Sequence, residues 1–254
     1  MKKIVLFYLM LISPIMADYR FTILFNNVPF DSKCTPAWGF ACHVKGPDIN
    51  ILFDTGSDGD VLLKNMQQLE INPEQLDCIF ISHMHYDHTG GLDEVLSHQD
   101  KVDLYLPASS STESVGHFIG RGVNIKPVKN PKKIANNVYS TGEMDDHGVR
   151  EQSMVIDTEA GLVVVTGCAH PGIVKIVKRA KQMLSKNIFL VFGGFHMKGM
   201  DESQIADVID QLKNLGVEKI GPSHCSGDKA IAAFKETWGS AFIDLGCGAV
   251  LDLR

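Results

Sequence analysis

The sequence has no long apolar run, no excess of basic residues, no internal repeat and few cysteines. Its longest N-terminal apolar run is too short to span a bilayer comfortably, and a net charge of −6 argues against a nucleic-acid surface, which is normally basic. Six irregularly spaced cysteines in 254 residues exclude a small disulfide-rich fold. With 44% hydrophobic and 21% charged residues, the chain is typical of a globular protein with one large α/β domain or two small ones.

The N-terminus resembles a secretory signal peptide. Two lysines precede the apolar run 4–12, and a small residue follows at Ala17. An ordinary first strand is the alternative, but the run 19–25 already provides that element. We therefore predict a signal peptide over residues 1–17 and a single domain over 18–254. A periplasmic or secreted location follows, with the cytoplasm as the alternative, and no stable membrane insertion is expected after removal of the signal.

Strand-like segments come first in the N-terminal half, whereas strands and amphipathic helices alternate in the C-terminal half. Apolar residues fall on one helical face in two segments, 173–184 and 205–215. Asp201 and Gln204 have capping-box spacing at the start of the second helix. This order predicts an α/β fold, or α+β by some schemes, with helices packed outside layered sheets. The predicted strands are 21–25, 40–44, 49–53, 78–81, 104–106, 154–157, 162–166, 188–192 and 217–220.

Residues 109–148 are polar, rich in glycine and lysine, and poorly periodic, which predicts an insertion or a lid over a site. The lysines of this segment can favour an anionic group such as phosphate, and a solvated charge cluster is the alternative. We interpret His43 and His98 as structural or surface residues, and His117 and His147 as residues of the lid.

Four potential metal ligands stand within six residues in SHMHYDHTGG, directly after the predicted strand 78–81. His83 and His85 are two positions apart, so their side chains point the same way in an extended loop and can share one metal. Asp87 and His88 follow once the chain has turned and can form half of a second site. A solvated loop is the alternative, but this density of ligands favours metal binding. Zinc suits imidazole-rich sites, with manganese or iron as alternatives.

Three further histidines each follow a predicted strand: His170 in TGCAHPG, His196 in GGFHM and His224 in GPSHCSG. Because α/β sheets keep their sites at the C-terminal ends of strands, we expect these side chains to converge. Cys168 and Cys225 stand beside two of them, and thiolates are good zinc ligands. Adjacent side chains on an extended segment point opposite ways, so Cys225 is expected to turn away from a metal that His224 faces. Cys168 can approach one.

HxHxDH followed by glycines, with later single histidines at strand ends, resembles the metallo-β-lactamase superfamily. The blocks LFDTGSDGDVLL, YSTGEMDDHGVREQSMVI, VVVTGCAHPGIVKIV, VFGGFHM and PSHCSG resemble the subfamily of 7,8-dihydropterin-6-ylmethyl-4-(β-D-ribofuranosyl)aminobenzene 5′-phosphate synthase. The similarity covers essentially the whole mature chain and implies a four-layer αββα sandwich. It also implies two sets of metal ligands, the first being His83, His85 and His170, and the second Asp87, His88 and His224.

One feature of the family is missing. Many members of the superfamily bridge the two metals with an aspartate after the strand that here ends in GGFH, and no carboxylate stands there. Either His196 works in its place and faces the substrate, or the second site is more weakly filled. We predict that His196 stabilises negative charge or passes a proton to the leaving group, and that Asp87 orients the nucleophile.

Asp54 in FDTGS has the tetrapeptide of aspartic proteases, but those enzymes need two such aspartates and this chain has the tetrapeptide once. We instead predict a tight turn in which Asp54 accepts a hydrogen bond from a ligand histidine and fixes its tautomer.

A divalent metal lowers the pKa of bound water from about 15.7 to near 7. The site therefore predicts an enzyme, a metal-dependent hydrolase with one or two zinc ions whose metal-bound hydroxide attacks an ester, phosphoester or lactone. The alternative is the transferase that the subfamily name implies, in which an aminobenzene-ribofuranosyl phosphate displaces pyrophosphate from a dihydropterin. That pathway is cytoplasmic, so the predicted signal peptide argues against it. The expected partner is a small molecule, with anionic substrates among the alternatives, and not nucleic acid.

A redox role is disfavoured. Diiron oxygen-reducing members of the superfamily place a glutamate where this chain has His85.

Overall fold

The computed structural model describes residues 19–110, 116, 122–146 and 148–253. The predicted signal peptide, 1–17, lies outside the described residues, as do His117 and His147. Within the described part, the strands form two large sheets and one two-stranded ribbon. No helix of this part is long and apolar enough to cross a membrane.

Seven strands form the first sheet: β1 (Tyr19–Asn26), β2 (Phe40–Lys45), β3 (Asn50–Phe53), β4 (Cys78–Phe80), β5 (Val102–Pro107), β6 (Val123–Val128) and β15 (Val250–Leu253). Their spatial order is β15-β1-β2-β3-β4-β5-β6. The pairs from β15 to β3 are antiparallel, and those from β3 to β6 are parallel. The C-terminal ends of β3 and β4 therefore lie at the same edge.

Six strands form the second sheet: β7 (Lys132–Ala135), β8 (Val138–Ser140), β11 (Met154–Thr158), β12 (Gly161–Thr166), β13 (Ile188–Gly194) and β14 (Lys219–Ser223). Their order is β14-β13-β12-β11-β8-β7, and β12, β13 and β14 are parallel. Their C-terminal ends meet at one edge of this sheet. The ribbon consists of β9 (Met144–Asp146) and β10 (Val149–Glu151).

The helices of the described part are α1 (Gly59–Gln68), α2 (Tyr86–Thr89), α3 (Leu92–Leu96), α4 (Ile173–Leu184), α5 (Glu202–Asn214) and α6 (Asp228–Trp238). Three single 3₁₀ turns accompany them, Pro73–Gln75, His224–Ser226 and Gly239–Ala241. Both amphipathic helices predicted from the sequence are confirmed as α4 and α5. The capping box is also confirmed, because Asp201 Oδ1 accepts from Gln204 N at 2.9 Å and Gln204 Oε1 accepts from Asp201 N at 3.0 Å.

The two sheets pack face to face, and helices cover the outer face of each. Along β12, Val163 and Val165 join the core between the sheets, whereas Leu162 and Val164 face the helices. Helices α4, α5 and α6 cover the second sheet, and α1 and α3 cover the first. Each fully buried aliphatic or aromatic side chain stabilises this arrangement by about 1.5–3 kcal/mol. The predicted four-layer αββα architecture is confirmed.

The segment 109–148 completes both sheets. Strand β6 extends the first sheet, and β7 and β8 extend the second. The predicted irregularity is therefore wrong for these three strands, whereas Ser109 and Ser110 at one end of the segment and Asp145 and Gly148 at the other line a cleft beside His85. Two lysines of the segment lie on edge strands: Lys126 Nζ is 3.9 Å from Asp103 Oδ2, and Lys132 Nζ is 5.8 Å from the centre of the Tyr105 ring.

Candidate metal centre

The histidines that follow strands converge at one edge of the sandwich, where the C-terminal ends of strands from both sheets meet. Two groups of ligand atoms lie there, each with all its atoms within 4.8 Å of one another. The three-histidine group is His83, His85 and His170. The mixed group is Asp87, His88, Cys168 and His224. The structure thus brings together all six residues that the sequence predicted as metal ligands, and it adds Cys168.

The three-histidine group joins a loop of the first sheet to a loop of the second. Its ring centres lie 4.7 to 4.9 Å apart. Ser82 Oγ donates to Asp54 Oδ2 at 2.7 Å, so His83 Nδ1, 2.9 Å from the same Oγ, carries the proton that it donates. This tautomer leaves Nε2 of His83 as an acceptor. Within the described part of the chain, the buried Nε2 atoms of His83 and His170 have no hydrogen-bond partner.

The mixed group places an imidazole acceptor opposite a carboxylate. Asn27 Oδ1 lies 2.8 Å from His224 Nδ1 and accepts its proton, which leaves His224 Nε2 as an acceptor. That Nε2 is buried without a hydrogen-bond partner and lies 3.3 Å from Asp87 Oδ2. Two acceptors at this distance repel each other unless a cation lies between them. The donor set therefore fits a divalent metal.

Asp54 lies beneath both groups and is fully buried. Its Oδ2 is 2.7 Å from His88 Nδ1, and its Oδ1 accepts from Ser82 N at 2.7 Å. This is the contact with a ligand histidine that the sequence predicted. The turn holds Asp54 in the left-handed region, at φ 55°. Gly167 must lack a side chain here, because a Cβ would lie 2.1 Å from Ser82 Oγ and 2.9 Å from Asp54 Oδ2.

Glu151 is a site residue that the sequence did not predict. Its buried carboxylate accepts from the backbone N–H groups of Cys168, Ala169 and His170 at 2.8 to 2.9 Å. It thereby fixes the loop that presents one ligand to each group. Burial raises the pKa of Glu151 to about 7, although these three N–H donors favour the charged form. Its partners are backbone atoms of a loop after another strand, so side-chain patterns give no signal for it.

Burial and crowding set the protonation states of the cluster. Burial, together with neighbouring imidazoles, lowers the pKa of His83, and the same causes lower that of His170 to about 4. Burial alone would raise the pKa of Asp87, but the neighbouring imidazoles of His224 and His88 hold it below its ordinary value. For His88, burial lowers the pKa, but the carboxylate of Asp54 outweighs it and raises the pKa above its ordinary value. The lowered pKa values of His83, His170 and Asp87 favour neutral imidazoles and an ionised carboxylate, which are the forms that bind metals.

A family model described as the metallo-beta-lactamase superfamily matches residues 42–224. The chain belongs to the metallo-β-lactamase superfamily. The resemblance predicted from the motifs is confirmed.

Relatives within the metallo-β-lactamase superfamily differ in their named activities. A Methanocaldococcus jannaschii protein named 7,8-dihydropterin-6-methyl-4-(beta-D-ribofuranosyl)-aminobenzene-5'-phosphate synthase is 30% identical, over 89% of this chain and 92% of its own. Hydroxyacylglutathione hydrolase of Salmonella typhi is 38% identical over 76 residues, which are 30% of this chain and 29% of that enzyme. The crystal structure of Tm1679, a metal-dependent hydrolase of the beta-lactamase superfamily, superposes with a TM-score of 0.76 at 27% identity, covering 92% of this chain and 99% of that one.

The bridging aspartate common among metallo-β-lactamase relatives has no carboxylate counterpart in the groups described above. His196, predicted to work in its place, does not join the mixed group. It is exposed, its backbone is left-handed at φ 52°, and its ring centre lies 4.2 Å from that of His170. The Sγ of Cys168 instead lies 3.2 Å from His88 Nε2 and joins the mixed group. The ligand sets implied by the resemblance do not include this thiol.

A cleft of about 370 Å³ opens beside the exposed His85. Its polar lining includes two hydroxyl groups and one guanidinium. Ser110 Oγ is buried and has no hydrogen-bond partner among the residues that the structure describes. Arg150 Nε lies 3.1 Å from Asp145 Oδ2. The residues that line the cleft are Met84, His85, Pro107, Ser109, Ser110, Asp145, Gly148, Val149 and Arg150.

Proposed function

We propose that this protein is a metal-dependent hydrolase whose metal centre is formed by the three-histidine and mixed groups. One observation carries the proposal: the buried Nε2 atoms of His83, His170 and His224 all lack a partner in one cluster that also contains the Asp87 carboxylate. Each buried polar atom without a partner costs about 1–3 kcal/mol, so retaining three in one cluster needs a ligand that satisfies them. Bound divalent ions would polarise the substrate and lower the pKa of a coordinated water.

Zinc is the first candidate, because imidazole and thiolate ligands suit it, and manganese and iron are alternatives. The chain's own residues prepare the site. Asp54, Ser82 and Asn27 fix the tautomers that leave Nε2 lone pairs facing the centre. The ionised carboxylate of Asp87 accepts a hydrogen bond from water and orients it towards the scissile group. The ring of His196, exposed beside His170, donates a hydrogen bond that stabilises negative charge on the substrate.

The cleft beside His85 supports a small substrate with an anionic group, such as a phosphoester. Arg150 offers a planar guanidinium, and guanidinium groups bind phosphate and carboxylate oxygens through paired hydrogen bonds. The unpartnered hydroxyl of Ser110 adds a donor on the same wall. Lys126 and Lys132 do not line the cleft and therefore do not contribute to this anion site.

A substrate screen tests the proposal. Protein loaded with zinc, manganese or iron is assayed against phosphomonoesters, phosphodiesters, lactones, thioesters and β-lactams, and hydrolysis of an anionic ester is expected. Replacing His83 and His85 together by alanine removes most of the bound metal, and Asp87→Asn lowers kcat by about 10²–10⁴-fold. His98→Ala, at an exposed histidine outside the cluster, is the control. Elemental analysis that finds unchanged metal in the double variant contradicts the ligand assignment.

A second candidate is the transferase reaction, and the 30% identity to the archaeal synthase over 89% of this chain favours it. The reaction would join an aminobenzene-ribofuranosyl phosphate to a dihydropterin and release pyrophosphate. Pyrophosphate release that depends on both substrates would support this candidate, and release from the dihydropterin alone would support hydrolysis. The cell compartment separates the candidates further. We expect residues 1–17 to be removed on export, and cytoplasmic protein that retains Met1 would favour the transferase.

A further inference from the structure

A third group of ligand atoms lies against the mixed group and consists of Cys168, His196 and Cys225. One ligand atom of each lies within 4.8 Å of the other two. Two thiols and one imidazole are a soft donor set, which selects thiophilic ions over the hard ions that carboxylates prefer. We propose that this thiol group is a separate site for a thiophilic divalent ion such as Zn²⁺. The proposal goes beyond the hydrolytic centre, which needs neither Cys225 nor ligation by His196.

The end of strand β13 is shaped to bring the two sulfurs together. A Cβ on Gly194 would lie 2.7 Å from Cys225 Sγ, 3.2 Å from Cys168 Cα and 2.2 Å from the carbonyl oxygen of Gly167. Only glycine therefore leaves room for Cys225 Sγ beside Cys168. Both thiols are buried, so hydrogen bonds to bulk water do not hold the two sulfurs in place.

Backbone hydrogen bonds fix the distance between His196 and Cys225. Lys198 N donates to Cys225 O at 3.2 Å, and Phe195 N donates to Ser226 Oγ at 3.0 Å. These bonds on both sides join the loop after β13 to the turn after β14. His196 is also held at φ 52°, a region that non-glycine residues occupy mainly where the surrounding structure enforces it. The three donors are thus prearranged by the fold.

Three protein ligands leave a fourth position open on a tetrahedral ion. His196 is exposed and both cysteines are buried, so solvent could supply the fourth ligand from the side of His196. Cys168 belongs to both the thiol group and the mixed group, so its sulfur joins them. Binding deprotonates both thiols and releases their protons to solvent.

Cobalt(II) titration tests the proposal on the reduced, metal-free chain in the presence of a phosphine reductant. Thiolate ligands give cobalt(II) a near-ultraviolet charge-transfer absorption that imidazole and carboxylate ligands do not. The wild type is expected to bind one more equivalent of cobalt than Cys225→Ser or His196→Ala, and both variants are expected to lose most of this absorption. Cys34→Ser, at a buried thiol outside the three groups, is the matched control and is expected to leave the cobalt count and the absorption unchanged.

The proposal is overturned if Cys225→Ser and His196→Ala keep the wild-type cobalt count and absorption while Cys168→Ser loses the absorption. Cys168 would then serve the mixed group alone. His196 is exposed, so the result for His196→Ala stands even where a cysteine variant fails to fold. Replacing His83 and His85 by alanine is expected to spare the charge-transfer absorption. Failure of the hydrolase proposal would instead appear as an unchanged metal count in that double variant.

Discussion

A single carboxylate orients ligands of two metal groups. Asp54 Oδ2 contacts His88 Nδ1 directly, and it reaches His83 through Ser82 Oγ. One histidine belongs to the mixed group and the other to the three-histidine group. The orientation of both rings therefore depends on one fully buried residue held at φ 55°.

We predict that Asp54→Asn lowers zinc affinity by about 10–100-fold, because Asp54 accepts from three donors through two oxygens and an amide has only one acceptor oxygen. Competition with a chromophoric chelator measures the affinity. Asp58→Asn is the control, since Asp58 caps helix α1 by accepting from Val61 N, and asparagine caps helices equally well. Equal affinity losses in the two variants would mean that general destabilisation, not ligand orientation, is the cause.

At the scale of elements, the loops after β4 and β12 interlock through close contact. Gly167 follows β12, and the space that its Cβ would fill holds the Ser82 hydroxyl and the Asp54 carboxylate. The positions of the strands bring these two loops close together. The final spacing depends on the absence of one side chain.

We predict that Gly167→Ala destabilises the fold by about 1–3 kcal/mol and weakens metal binding, because the added methyl group forces the two loops apart. Urea unfolding and zinc titration measure the two effects. Gly116→Ala is the matched control, since a Cβ there meets no atom within 4 Å. A Gly167 variant with the wild-type stability and affinity would show that the loops accommodate the methyl group freely.

Elements with strong periodicity could be predicted from the sequence, and weak edge strands could not. Helix α4 has a buried face at helical spacing, and β12 is buried throughout. Strand β7, by contrast, has exposed lysines and an irregular register between Lys133 and Ala135, so its alternation is hidden. Long strands that are buried on both faces can be recognised from their run of apolar residues. Short edge strands lack this pattern and form only because a neighbouring strand pairs with them.

The convergence of the candidate ligands could be predicted because each is a histidine or aspartate just after a strand. The contact of Asp54 with a ligand histidine could also be predicted. The role of Glu151 could not, because it acts on backbone N–H groups, and the sequence allows Cys168 to approach a metal but does not predict its contact with His88, 80 positions away. The sequence predicts that His196 lies at this edge of the sandwich. It does not predict the partners of His196, because these depend on how the turn His224–Ser226 positions Cys225. The ends of predicted strands therefore indicate where the site lies. The contacts among its residues depend on tertiary packing, which the sequence pattern does not give.

For the whole molecule, proton uptake on unfolding links stability to pH. His43 is buried on β2, and burial, with a smaller effect of Lys45, lowers its pKa to about 4. The folded state therefore keeps His43 neutral between about pH 6.5 and 4, while the unfolded chain takes up a proton. The contribution of His43 to stability falls as pH falls through this range.

We predict that His43→Gln becomes more stable relative to the wild type by up to about 3 kcal/mol between pH 7 and pH 4.5, at about 1.4 kcal/mol per pKa unit. Guanidinium unfolding of both proteins at the two pH values measures this change. All other titrating groups are shared, so their contributions cancel in the comparison. A stability difference that does not vary with pH would mean that His43 is protonated in the folded state.

Metal binding is also expected to change stability, because an ion that binds only the folded state stabilises it. At free zinc about 100 times Kd, a single site stabilises the fold by about 2.7 kcal/mol, which raises Tm by about 5–10 °C for a chain of this size. Scanning calorimetry with zinc and with a chelator measures the shift. Replacing His83 and His170 by alanine is expected to reduce it, and an equal shift in that variant would place the stabilising ion elsewhere.

The ligands come from strand ends of both sheets, so an ion at this edge is a cross-link between two halves of the sandwich. His83 and Asp87 follow a strand of the first sheet, and His170 and His224 follow strands of the second. Without the ion, apolar packing and the connecting chain hold the halves together. With a bound ion, neither half could slide past the other without breaking coordination bonds.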